Sequence, residues 1–320
     1  MTQTEKQKMM LTAPVEGLIC RMAVPTIISM LITALYNMAD TYFVGKLGSN
    51  AATGAVGVAL PLMAIIQATG FFFGHGSGNS ISRHLGAGDV KDAETLAVCG
   101  FAGAISTGLI ICVLGPLLIE PLARLLGSTA TILPYAKEYM RYILFAAPYM
   151  TAALVLNNQL RLQGNANFAM IGITSGAVLN VALDPLFIFT FDMGVAGAAA
   201  ATALSQLVSF VILLWALRRA GCVLLRFRYV RCMPSVIGQI FGGGLPSLVR
   251  QGLASLSVMM LNRAAGPYGD AAIAEMSIVG RISQFAGSAV IGFGQGFQPV
   301  CGFNYGAGKR ERVEKAFWFG

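Results

Sequence analysis

Two aspartates stand in otherwise apolar surroundings. Asp40 lies in "LYNMADTYFVG" (35–45), at the end of an apolar run that begins near Leu18, and Asp184 lies inside "VLNVALDPLFIF" (178–189). An ionisable group kept in such company is costly and marks a functional site by default. On a helix, Tyr36 and Asp40 share a face at i, i+4 with Asn37 adjoining, and Asn180 and Asp184 repeat the same spacing. Pro185 cannot donate to the carbonyl of Val181, and Pro25 likewise frees that of Arg21. Carboxylates, amides and free carbonyls are hard oxygen donors, suited to a bare cation such as Na⁺. They suit protons equally well, because two carboxylates in one low-dielectric pocket cannot both ionise cheaply. Read more simply, Asp40 is a solvated cap at its helix end. Asp184, in mid-run before a proline, resists that reading.

These groups need a scaffold, and composition says which solvent it meets. Of 320 residues, 56 % are hydrophobic and 11 % charged, with a mean hydropathy of +0.69. A soluble domain carries about 25 % charged residues, so this chain is built for lipid. A spanning helix takes roughly 20 apolar residues. Such runs fall at 17–38, 52–74, 94–118, 135–157, 168–190, 195–217, 236–261 and 271–300, with a ninth from about 313. Period-2 alternation is absent, so the spans are helices rather than barrel strands. The first is too long, and lacks the cleavage site, for a signal peptide.

Lysine and arginine orient the spans. With the N-terminus inside, fifteen fall on the inner side, Arg161 among them, and four on the outer side with Arg141 close by. The N-terminus is therefore expected in the cytoplasm, and the net charge of +8 needs no nucleic acid to explain it. The basic run "RRAGCVLLRFRYVR" (218–231) reads as a topology anchor. Spans one and five then both run outward, which puts Asp40 and Asp184 in the outer half. Thr202, early in the inward-running sixth span, reaches a similar depth, so these groups can converge. The expected organisation is a cytoplasmic tail at 1–15, a six-helix lobe at 16–217, a basic linker at 218–235 and part of a second lobe at 236–320.

The second lobe is a repeat of the first. "FGHGSGNSISRHLGAGDVKDAETLAVCG" (73–100) aligns without a gap on "FGQGFQPVCGFNYGAGKRERVEKAFWFG" (293–320), at an offset of 220, with eight identities in 28 positions. Spaced glycines allow close helix approach, and each GAG ends one helix while Asp89 can cap the next. No strand precedes these glycines, which excludes a dinucleotide-binding loop. Pro25 and Pro246 match within one residue of the same offset. A unit of about 220 residues and six helices, both copies in one orientation, needs about 440 residues for two copies. The sequence thus reads as C-terminally truncated, ending inside the third helix of copy two, and is expected to pump poorly as it stands. The six cysteines lack metal-ligand spacing and read as small apolar fillers; His75 and His84 read as structural.

The stretches "AVPTIISMLITALYNMADTYFVGKLG" and "LNVALDPLFIF", with the repeated GAG loop, resemble the multidrug and toxic compound extrusion (MATE) transporters, in particular the prokaryotic DinF-like branch with its MepA-type pumps. The resemblance implies an all-α polytopic membrane protein: one complete six-helix lobe plus the first two to three helices of a second. It implies no enzyme and no cofactor, but a monomeric antiporter in the cell membrane that exports organic cations against H⁺ or Na⁺. By the same resemblance the coupling site lies in the first lobe. Asp40, Asn180, Asp184 and Thr202 would hold the cation, with Na⁺ a possible metal there, and Tyr36, Asn37, Asn157, Pro25 and Pro185 would support them. Arg250 and Gln251 in "LPSLVRQGLASLSV" (245–258) replace the seventh-helix glutamate of another branch. The alternative is a flippase for a lipid-linked precursor, which would need a cationic cleft. The complete lobe, whose intramembrane charges read as acidic, favours cationic cargo. An intramembrane aspartyl protease is disfavoured, because Ala39 and Leu183 precede the two aspartates.

Overall fold

Apolar runs of this length can satisfy their backbone polar groups only as helices. In the computed structural model, which describes residues 3–48, 50–126, 128–220, 233–265 and 270–320, no strand occurs among the described residues. The helices are α1 (Gln3–Thr12), α2 (Val15–Gly45), α3 (Asn50–Ala87), α4 (Val90–Leu117), α5 (Ile119–Leu125) and α6 (Leu133–Leu162). They continue with α7 (Ala166–Pro185), α8 (Gly194–Arg219), α9 (Met233–Ala265), α10 (Asp270–Gly306) and α11 (Arg310–Phe319). After Pro185, α7 runs on as a π-helical turn, Leu186–Thr190. Among the described residues, six helices are long and apolar enough to cross a bilayer: α2, α3, α4, α6, α7 with its π-turn, and α8. Helices α9, α10 and α11 coincide with the seventh, eighth and ninth expected runs. The expected basic linker lies largely outside the described residues.

The repeat is visible in the backbone. Gly88 (φ +84°) and Gly308 (φ +70°) make the same left-handed turn after α3 and α10, a conformation open to glycine without strain. Asp89 then caps α4 by accepting from the Asp92 amide at 3.2 Å. Helices α3 and α10 cross where the two GAG segments meet. A Cβ on Gly86 would strike the carbonyl of Phe303, and one on Gly306 would strike the carbonyl of Arg83. Further along, Gly76 faces the Ile240 carbonyl of α9 and Gly296 faces Ala23 of α2. Each second helix therefore packs against the first helix of the other unit, as a pseudo-two-fold relation requires.

Two short helices escaped the sequence reading. The sequence of α1, "QTEKQKMMLT", is too polar to span and reads as tail. It folds because its unpaired C-terminal carbonyls find donors on the second unit. Asn304 Nδ2 donates to the Met10 carbonyl (3.2 Å), Lys309 Nζ to Leu11 (2.9 Å) and an Arg312 Nη to Ala13 (2.6 Å). On the first unit, Gln7 donates to the Leu85 carbonyl at 2.6 Å and Lys6 to that of Ala220, while Met10 is fully buried. So α1 clasps both units. Arg312→Ala should loosen that clasp by about 1–2 kcal/mol, read as faster amide exchange over residues 5–13 with little change in α4.

The other, α5, is fixed to α6 through Glu120, which accepts from Lys137 and, at 2.9 Å, from Arg124. The Lys137 ammonium foremost, then Arg124, holds the Glu120 carboxyl below the usual carboxylate range. That contact is fully present at neutral pH and is lost as acidification passes through the lowered value.

Candidate functional site

The site is built where α7 breaks its regular ladder. Asn180 and Asp184 sit one turn apart and are 2 % and 0 % exposed. Thr202, 4 % exposed, approaches from α8. The Asn180 amide nitrogen donates to Asp184 Oδ1 and to Thr202 Oγ1, both at 3.3 Å. Pro185 follows immediately and opens the π-turn, a distortion that recurs at functional sites because it re-aims side chains and carbonyls.

Asp40 enters from α2. That helix continues five residues past it, to Gly45, so Asp40 is an interior helical residue and not the cap that the shorter expected span allowed. Asp40 and Asp184 lie within Coulombic range of each other, and Tyr36 within range of both. Three oxygens are enclosed without a hydrogen-bond partner: Asp40 Oδ1, Asn180 Oδ1 and Asp184 Oδ2. All three are acceptors, and the Asn180 donor is already committed. Buried polar atoms are almost always satisfied, so this group calls for something that offers a proton or a positive charge. Its hard oxygens fit a proton or a small hard cation, and the absence of sulfur and imidazole disfavours softer metals.

The remaining expected residues separate. Asn37 is exposed on α2. Asn157 is buried, yet its amide donates to the Ala169 carbonyl at 3.0 Å, about three turns of α7 away from Asn180. Pro25 lies about four turns below Asp40 on α2. Next to it, Thr26 Oγ1 donates to the Gly292 carbonyl of α10 at 2.6 Å. The carbonyl freed by Pro25 is therefore no ligand of the Asp40 group; the proline sits instead where α2 meets the second unit.

Two residues were missed. Tyr139 of α6 is 1 % exposed and lies within Coulombic range of Asp40, Asp184 and Tyr36, which adds a phenol to the group. Its surroundings in sequence, "KEYMRY", are polar and read as a helix entrance. Arg161 was counted as a solvated inner-face cation, but it is 1 % exposed. The expectation that the charges inside the first lobe are all acidic is thereby overturned.

Two repeat-related helical units, the first enclosing a carboxylate pair, define a multi-pass membrane protein of internal-repeat architecture. The chain belongs to the MatE family, whose model matches residues 25–186 and 246–320. It is similar to the multidrug export protein MepA of Staphylococcus saprophyticus subsp. saprophyticus, 31 % identical over 284 residues, which cover 88 % of this chain and 63 % of that protein. For MepA of Staphylococcus aureus strain N315 the figures are 28 % over 298 residues, 93 % and 66 %. This chain thus spans just under two thirds of the length of these curated relatives. Among solved structures, a MATE in the straight conformation superposes with a TM-score of 0.92 at 30 % identity, covering 97 % of this chain and 70 % of that one.

Proposed function

We propose that the chain carries the ion-coupling unit of an antiporter that exports small organic molecules, organic cations among them, across the cytoplasmic membrane. H⁺ or Na⁺ is the coupling ion. The observation that carries this reading is the acceptor-only group around Asp184, with its three enclosed, unpartnered oxygens. Transport, not covalent chemistry, is what such a group serves: it binds an ion, loses net charge and releases it elsewhere. The names of the MepA relatives support the cargo class.

In this mechanism an ion enters between Asp40 and Asp184 and neutralises the pair. The repulsion that separates α2 from α7 then falls, and α2 yields at Pro25, where the proline already lacks one ladder hydrogen bond. Because Thr26 ties that point to α10, the movement is passed to the second unit. The chain works as a monomer, with its N-terminus in the cytoplasm.

Dye efflux from proteoliposomes, measured on a version extended to carry both repeat units in full, tests the function. Export should follow an imposed H⁺ or Na⁺ gradient and stop when an ionophore collapses it; gradient-independent leakage would overturn the proposal. Orientation has its own check, Lys91→Cys on a cysteine-free background. Lys91 is exposed just inside α4, so an impermeant thiol reagent should modify it only after the cells are opened.

A further inference from the structure

Helix α9 carries, on an exposed apolar surface, a charge opposite to that of the carboxylate pair. A shallow cavity of about 590 Å³, open over most of its extent, is lined on α9 by Gly242, Leu245, Pro246, Val249, Arg250 and Leu253. Small-molecule sites are mostly apolar with a few polar groups that fix orientation. Among the described lining residues the one polar side chain is Arg250, which is exposed and therefore able to meet a ligand.

Behind Arg250 stands a second guanidinium. Ser247, one turn earlier on α9, is hydrogen-bonded to His75 Nδ1 at 2.9 Å. The other ring nitrogen of His75, Nε2, is 3.2 Å from an Arg161 Nη. Arginine can only donate, so Nε2 must be the unprotonated acceptor and Nδ1–H donates to Ser247. His75 is thus neutral: it joins Arg161 to Ser247 of α9, lies within Coulombic range of Arg250 and balances neither guanidinium. Arg161 gives its other hydrogen bonds to neutral oxygens: the Gln295 carbonyl at 2.8 Å and Asn158 Oδ1. Its Nε has no partner. No carboxylate pairs with Arg161 or Arg250 among the described residues. A buried charge without a counter-charge is destabilising; Arg161 is such a charge, and the His75–Ser247 contact joins it to the helix that carries Arg250.

We propose that this cavity binds the anionic group of an amphiphile, a carboxylate or phosphate on a greasy body, with Arg250 as its direct partner and Arg161 as the buried charge behind it. Leu245, Pro246, Val249 and Leu253 receive the apolar body. The inference rests on the proposed export function and deepens it by naming a charge that the cargo carries; a zwitterion would bring that anion together with the cationic group of the proposed cargo. The chemistry is the same for a lipid headgroup and for a free solute.

The test is binding, and it needs no gradient. The whole chain, purified in neutral detergent, is titrated with a dansylated undecanoic acid and with the corresponding primary amide, and dansyl fluorescence is read. The acid should bind about tenfold more tightly, as one charge-assisted hydrogen bond implies. Arg250→Gln should abolish that preference while binding the amide as the native chain does, which shows that the fold is intact. Arg250→Lys should keep most of the preference. Equal binding of acid and amide by the native chain, or a preference that survives Arg250→Gln, would overturn the proposal. Repeating the titration in nanodiscs of phosphatidylglycerol or phosphatidylcholine separates the sources. Competition by phosphatidylglycerol alone supports the site with a lipid occupant, and no competition supports it with a soluble one. Asp184→Asn should leave this preference unchanged, so failure of the coupling site and failure of the anion site are told apart.

Discussion

Asp184→Asn should insert and fold normally yet lose ion coupling altogether. The substitution keeps the volume and one acceptor oxygen of a residue that is fully buried, and it puts an NH₂ beside the orphaned oxygens of Asn180 and Asp40. An internal donor then occupies the place where a proton or Na⁺ would be bound, so packing is kept or improved while the ion loses its ligand. Equilibrium binding of ²²Na⁺, and the proton release that Na⁺ provokes, should fall to background, and in a version extended to carry both repeat units gradient-driven dye efflux should fall with them. Asp40→Asn should act in the same direction but less severely, because Asp40 is only half-buried. The double mutant should be no worse than the worse single one, since residues that act as a unit are strongly non-additive. If Asp184→Asn still binds Na⁺ and exports dye with unchanged pH dependence, the buried carboxylate is structural and the coupling mechanism fails.

The parts of this arrangement that are periodic were legible in the sequence. Apolar runs give the starts of the spanning helices to within a few residues, although α2 and α3 run well past the expected ends, and the i, i+4 spacing of Asn180 and Asp184 is a property of any helix. The end of α2 was read short because "DTYFVG" mixes a charge with aromatic residues, and only neighbouring helices decide whether that turn stays wound. Tyr139 could not be found, because a tyrosine in a polar segment looks the same whether it faces water or a buried carboxylate. Arg161 shows the same limit more sharply. Counting cations by side of the membrane treats each as solvated, whereas this one is buried by acceptors drawn from α3, α6 and α10. The helicity of α1 likewise depends on Lys309 and Arg312, roughly 300 residues away in the chain, and a local reading cannot see them.

The crossing of α3 and α10 should be the most sensitive place in the fold outside the ion site. Gly86→Ala adds one methyl group and, by helix propensity alone, would stabilise α3 by about 0.5–1 kcal/mol. At this position the methyl meets the backbone carbonyl of Phe303, and backbone cannot swing aside as a side-chain tip can. Overpacking of this kind costs about 1–3 kcal/mol, so the clash wins and the net effect is destabilising. Gly306→Ala should behave alike, because its methyl would meet the Arg83 carbonyl across the same contact. The pair should be less than additive, since either change alone already forces the two helices apart. Gly17→Ala in α2 provides the contrast, because nothing lies within 4 Å of a Cβ there and the propensity gain is kept. Thermal unfolding in detergent, followed by helical circular dichroism, should therefore move down for Gly86→Ala and stay level or rise for Gly17→Ala. A Gly86→Ala chain as stable as the native one would mean that the units do not meet at the glycines, and the pseudo-two-fold packing described for α3 and α10 would have to be abandoned.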